Sequence, residues 1–322
     1  SCRRPTIVLL SPIGLATGLE VRKEAFKGVP DAKKVQGTNA NLAETATQGS
    51  YTVKEAYFEV AVPVLADKPF AESLNLSFAS RYSEYDIGQK TFDNVASKLG
   101  LEYRPTGELL VRGTYSEAFR APAITALFLG RSLSFPEIVD PCSGYSSSED
   151  ENVRTNCAAD GVPSGYTQTN SQIPSAFGGN PNLTPEDAIT QSFGLVWSPE
   201  FAPDLNISID WYNVVIEDVI TFTGPGQVLA SCYQAAPGSR SLCDQVSRGP
   251  TGELQRVDNL AANFAELEVG GIDLNLDWRL PFDFLQDFGS FKVVLDVAYT
   301  SKNSQTIDTV DADGNLTSQT VD

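Results

Sequence analysis

Acid–base chemistry on this chain would have to fall to carboxylates, because none of its 322 residues is a histidine. That one absence removes the usual general base, the Ser-His-Asp constellation and most zinc sites. Asp210 and Asp277 lie on the polar faces of two extended segments. Placed across neighbouring strands, they would make the acid and base of a soluble all-β glycoside hydrolase. Two carboxylates on a wet strand face also occur with no chemistry at all, and that is the plainer reading. Asp311, Asp313 and Asn315 have the alternate spacing of a calcium loop, but Gly314 falls between the ligands and no glutamate closes the set. A turn between strands accounts for them better. The acidic run Ser146–Glu151 would hold a divalent cation or simply be solvated. Gly178-Gly179, Gly224-Pro225-Gly226 and Gly270-Gly271 lack the spacing of a phosphate loop and read as turns or bulges. No catalytic residue, cofactor or metal site is assigned.

The cysteines are the remaining chemistry. Cys142 and Cys157 lie close together in one polar stretch, Cys232 and Cys243 in the next, and Cys2 stands alone. No CxxC spacing and no histidine are present to build a metal site. Polar stretches also offer little core in which to bury free thiols. Two local disulfides made in an oxidising compartment are expected, each stabilising its loop by about 2 to 4 kcal/mol.

With 23 Lys and Arg against 41 Asp and Glu, the net charge is −18, which repels nucleic-acid phosphates and anionic head groups. No apolar run approaches the ~18 residues of a spanning helix. Barrel strands need only about 9 to 11 residues and leave a weaker signal. The chain contains no methionine, which points to a processed, trimmed or partial product. The opening SCRRPTIVLLSPIGLATG has the basic and apolar parts of a secretory signal, but Pro12 interrupts it and no cleavage site follows. A strand preceded by a free Cys2 thiol is the simpler expectation.

Strands must position all of this, because alternation runs through the chain. Ser11 to Phe26 reads as one strand, and Gly28 to Gly49 as a polar connection. Ala56, Phe58, Val60 and Val62 then alternate with Glu55, Tyr57 and Glu59, and Leu74, Leu76 and Phe78 with Asn75 and Ser77. Leu99, Leu101 and Tyr103 oppose Lys98, Glu102 and Arg104, while Leu109, Val111 and Tyr115 oppose Arg112, Thr114 and Ser116. Later, Leu205, Ile207, Ile209 and Trp211 share a face, as do Ile272, Leu274, Leu276 and Trp278, and then Val293, Leu295, Val297 and Tyr299. Leu205 to Asp218 and Leu267 to Leu280 exceed the 5 to 6 residues usual in a sandwich strand. Trp197, Trp211, Trp278, Tyr103 and Tyr299 fall near strand ends, where a membrane-interface girdle would place them. The expected fold is an all-β, antiparallel up-and-down transmembrane barrel of roughly ten strands, a partial barrel across residues 1–322, with long loops at about 130–185 and 223–252.

Two segments carry a family resemblance. In YSEAFRAPAITALF, Ser116, Phe119, Arg120, Pro122, Leu127 and Phe128 stand at the places of an S-x-x-FR-x-P motif followed by Leu-Phe. Asn180 to Glu186 reads N-x-N-L-x-P-E before a strand, and Asn259 to Asp273 runs into an E-x-x-G-I-D strand. These patches resemble the barrel portion of TonB-dependent outer-membrane receptors.

The resemblance implies a receptor in the outer membrane of a Gram-negative bacterium, taking up a scarce solute such as a siderophore or oligosaccharide. Its partners would be outer-membrane lipid and the TonB complex, the latter through a plug domain that is not readable here. Ligand contacts would come from the long loops, with Tyr145, Tyr166, Phe177 and Tyr233 as the aromatic candidates. A passive porin or adhesin barrel is the first rival reading, and the soluble glycoside hydrolase is the second.

Overall fold

The computed structural model describes residues 12–38, 43–280, 289–310 and 316–321. Cys2, most of the opening segment and the Asp311, Asp313 and Asn315 turn lie outside the described residues. In chain order the first half comprises β1 (Gly14–Gly28), α1 (Ala32–Val35), β2 (Thr47–Lys68), β3 (Ala71–Asp86), β4 (Thr91–Thr106), β5 (Leu109–Arg120), α2 (Ile124–Phe128), β6 (Ser132–Ser134) and α3 (Glu151–Ala159). There follow β7 (Ser175–Gly178), β8 (Glu186–Trp197), β9 (Leu205–Phe222), α4 (Pro225–Tyr233), β10 (Val246–Arg248), β11 (Leu254–Arg279), β12 (Lys292–Val310) and β13 (Leu316–Val321).

Ten of these strands form one antiparallel wall in the order β1-β2-β3-β4-β5-β8-β9-β11-β12-β13, and β1 does not pair with β13, so the sheet is open. The short β7 and β10 pair with the first residues of β11, and β6 pairs with β7. Tight turns such as Lys68–Ala71 lie at one end of the wall, and the long connections 121–185 and 223–253 at the other. This is the meander that alternation and turn spacing predict, because each hairpin leaves successive strands adjacent.

Register carries the apolar residues into continuous rows. Val62, Leu76, Leu101, Gly113, Phe193, Trp211, Ile272 and Tyr299 are successive cross-strand partners over eight strands. Leu65, Leu74, Tyr103, Val111, Leu195, Ile209, Leu274 and Val297 form the next row. These rows face outward: Phe193 is 50% exposed, Ile209 47% and Trp211 41%. A soluble protein does not present so wide an apolar band to water, whereas hydrocarbon solvates it. Among the described residues no helix is long and apolar enough to cross a membrane.

Trp197, Trp278 and Tyr103 lie close to the tight-turn end, as a girdle requires. Trp211 and Tyr299 instead sit well inside β9 and β12, because those strands have 18 and 19 residues and continue past the apolar band. β11 is longer still, at 26 residues.

Candidate functional site

The inward face is polar and stitched by ion pairs. Arg112 on β5 reaches across β8 to Asp210 on β9, with Nε and Nη2 donating to the two carboxylate oxygens at 2.8 and 2.7 Å. Gly194, the β8 partner of both residues, leaves room for the bridge: a Cβ there would collide with Asp210 Oδ1. Asp277 is occupied separately by Lys292 at 2.5 Å. Asp210 lies opposite Asp273, and Asp277 opposite Asn206. The acid–base pair of the rival hydrolase reading is not assembled: Asp210 and Asp277 stand four residues apart in register, about 13 Å along the strand, and each is held by its own cation.

On β1 to β3 the same face centres on Glu55, whose side chain is almost fully buried. Its Oε2 lies 2.5 Å from Arg22 Nη1, and its Oε1 accepts from Ser83 Oγ at 2.6 Å. Arg81 lies 3.9 Å from the same carboxylate, and its guanidinium is over the Tyr57 ring. Arg22, Glu55, Tyr57 and Arg81, together with Lys98 and Glu117, line a basin of about 390 Å³. The β4–β5 ladder stops at Ser97–Glu117, and above it Asn94 donates to Asp187 of β8 at 2.7 Å.

Proline explains why β5 ends where it does. Pro122 cannot extend the ladder, and it pushes Ala121 out of the helical region. The chain turns onto the sheet as α2, with Phe128 covering Gly49 of β2 so closely that a Cβ on Gly49 would collide with the ring. Leu127 and Leu183 are buried there with Tyr51, Val53, Tyr85, Ile87 and Ala261. Arg120, the last residue of β5, makes a two-pronged ion pair with Glu186, the first of β8, and Glu186 also accepts from the Ile220 backbone N–H at 2.7 Å.

Above this cluster the two long connections pack into one body. Its core contains Ile138, Val153, Val162, Ile173, Val228, Leu229, Leu254 and Val257. The cysteine pairs are joined as Cys142–Cys157 and Cys232–Cys243, with Cα separations of 5.6 and 4.9 Å. The loops are tied to each other as well. Asn156 Nδ2 donates to the backbone oxygens of Tyr233 and Ala235, at 3.0 and 2.8 Å. Arg248 binds both oxygens of the fully buried Asp140 at 2.7 Å and donates to Tyr233 Oη. Burial works to lower the pKa of Arg248, but the bonds to Asp140 and Tyr233 prevail and hold it above the usual guanidinium range. The acidic run Ser146–Glu151 leads into α3, which Asp150 caps by accepting through Oδ1 from the backbone of Asn152 and Val153. Among the described residues no acidic cluster could hold a metal ion.

The structure brings three of the four aromatic candidates together inside this body. Tyr145 donates to the Val162 carbonyl at 2.8 Å, Tyr166 donates to Asp140 at 3.0 Å, and Tyr233 carries Arg248 over its ring at 4.7 Å. Burial raises the phenol pKa of Tyr166 and of Tyr233. Phe177 lies apart and reaches solvent, stacked on Phe222 with ring centroids 4.0 Å apart. Phe222, the last residue of β9, escaped the sequence reading because nothing in its spacing joins it to Phe177. Arg248 and Asp140 escaped it as well, being 108 positions apart.

A family model described as TonB dependent receptor-like, beta-barrel, matches residues 13–321. No curated protein matches the sequence. Among solved structures, the chain is similar to the siderophore receptor PirA from Acinetobacter baumannii, with TM-score 0.53, 14% identity, and coverage of 92% of this chain and 38% of that one. It is also similar to two mutant forms of the ferric enterobactin receptor PfeA from Pseudomonas aeruginosa. One, in complex with enterobactin, has TM-score 0.57, 13% identity and coverage of 92% and 37%. The other has TM-score 0.56, 13% identity and coverage of 96% and 42%. The chain spans about two-fifths of the length of these structures. Its exposed apolar band, its ion-paired inner face and the match across nearly its whole length agree: the chain belongs to the β-barrel family of the TonB-dependent receptors.

Proposed function

We propose that this chain is the middle and later part of the barrel wall of a receptor that captures a scarce solute and takes it up with energy supplied through TonB. On this reading it carries no catalysis of its own. Its partners are the solute, outer-membrane lipid and the TonB complex, the last acting through a plug domain. The observation that carries the reading is the union of the two long connections into one disulfide-pinned body at the long-loop end of the wall. A passive pore gains nothing from a rigid, cross-braced structure over its mouth. A receptor gains preorganised contacts, because little ordering entropy remains to be lost on binding.

Phe177, with Phe222, is the aromatic surface offered to the solute, while Tyr145, Tyr166 and Tyr233 set the shape of the loops around it. An iron chelate is the first solute to test, because the fold neighbours are described as siderophore receptors, and an oligosaccharide is the second. The experiment uses the full-length receptor in a strain that lacks its other chelate receptors. Substituting both Phe177→Ala and Phe222→Ala is expected to lower solute affinity at least tenfold with unchanged barrel yield. Uptake that persists after TonB is inactivated would overturn the energy-coupled reading in favour of a passive pore.

A further inference from the structure

The two disulfides share one loop body but differ in surroundings. Cys142 and Cys157 are both fully buried, packed among Ile138, Tyr145, Val153 and Val162. In the other bridge Cys232 is fully buried, whereas Cys243 is only partly covered and lies at the margin of the core. The Arg240 guanidinium belongs to this second bridge. Its Nη2 lies 3.3 Å from Cys232 Sγ, its Nε donates to the Cys232 carbonyl at 2.8 Å, and Asp160 fixes it from the far side at 3.1 and 2.7 Å.

Thiol–disulfide exchange needs a sulfur that an incoming thiolate can reach and a leaving sulfur whose thiolate is stabilised. Cys243 supplies the first. Cys232, with a cationic donor against it, supplies the second. The Cys142–Cys157 bridge has neither.

We propose that Cys232–Cys243 is an exchangeable disulfide that accepts low-molecular-weight thiols at Cys243, whereas Cys142–Cys157 is inert. The attacking thiolate bonds to Cys243 Sγ and the Cys232–Cys243 bond breaks. Its electron pair goes to Cys232 as a thiolate beside Arg240, and Cys243 carries the mixed disulfide. A second equivalent of thiol releases the adduct as the oxidised thiol dimer and leaves both cysteines reduced. The segment from α4 to β10 then loses its covalent closure, while the first loop keeps its own. This inference rests on burial and charge alone and does not depend on which solute the receptor takes.

The test is exposure of the full-length receptor in detergent micelles to glutathione, acid quenching, and peptide mapping of adducts and free thiols by mass spectrometry. Cys232–Cys243 is expected to open at least tenfold faster than Cys142–Cys157, with the glutathione adduct on Cys243. Arg240→Gln is expected to slow that opening severalfold while Cys142–Cys157 stays closed, and Arg240→Lys to restore part of the rate. Equal opening of the two bridges in the unmutated chain, or an adduct on Cys232, overturns the proposal. If Arg240→Gln instead loosens the whole loop body, Cys142–Cys157 opens as well, and the site of the adduct in the unmutated chain decides.

Discussion

Arg120 and Glu186 close the same rung of the wall from opposite ends of a long loop: the last residue of β5 grips the first residue of β8. Arg120 is the cation of the FR-x-P segment and Glu186 the anion of the N-L-x-P-E segment. Two sequence signatures separated by more than sixty residues are therefore the two halves of one clasp at the base of the loop body. The Glu186 carboxylate is nearly buried while the arginine is mostly exposed, so the carboxylate depends on the pair more than the arginine does.

Arg120→Ala is accordingly expected to cost about 1 to 3 kcal/mol, the penalty of leaving a buried acceptor short of its donor. Glu186→Gln should cost less, because the amide oxygen still accepts from the Ile220 N–H. Denaturant unfolding of the chain in micelles measures both. Equal losses would show that the clasp does not act through the buried carboxylate.

Gly194 is needed for the bridge between Arg112 and Asp210. Gly194→Val is expected to destabilise by about 1 to 3 kcal/mol, as overpacking typically does. Repeated in an Arg112→Ala, Asp210→Ala background, the same substitution should cost markedly less. A penalty that does not change between the two backgrounds would place its origin in the β8 backbone.

The two faces of β9 predict opposite responses to charge. Ile209→Arg places a cation in the apolar band and should cost about 2 to 4 kcal/mol if it lies near the membrane midplane. Ser208→Arg, one residue away on the inner face, should be tolerated. Insertion into lipid vesicles, followed by protease protection, compares them. Similar losses at both positions would contradict the outward direction of the Ile209 row.

Burial holds the Tyr166 and Tyr233 phenols above the ordinary tyrosine pKa of 10.0. In the unfolded chain both ionise at the ordinary value, so their contribution to loop-body stability is complete below pH 10. It is lost as pH rises through the folded values. The phenolate absorbance band should show these two tyrosines titrating later than the exposed ones, together with loss of the loop fold. Ionisation in step with the exposed tyrosines would mean that the loop body is open in solution.

The wall was legible in the sequence because a period of two needs only local information. The partners Leu205, Ile207, Ile209 and Trp211 declared their common face without any knowledge of what lay beside them. The turn at Pro122 was legible for the same reason, since proline restricts its own neighbours. Cys142–Cys157 and Cys232–Cys243 could be paired because each couple sits within one loop. The bonds between the loops could not be read. Asp140 with Arg248, and Asn156 with the Tyr233 and Ala235 carbonyls, depend on two segments meeting in space, and no spacing records that meeting. For the same reason Tyr145, Tyr166 and Tyr233 read as candidates for ligand contact: the core that receives them is assembled from two distant stretches of polar-looking chain.

The height of β11 has a consequence outside the membrane. Its 26 residues, at about 3.3 Å each and a tilt near 40°, rise roughly 65 Å, against a hydrocarbon band about 25 Å tall. The upper part of β11 therefore stands some 40 Å beyond the hydrocarbon band, whereas β5 and β8, at 12 residues each, end near its edge. Whatever diffuses toward the cell meets the crown before it meets lipid, and so too would a phage fibre or an antibody.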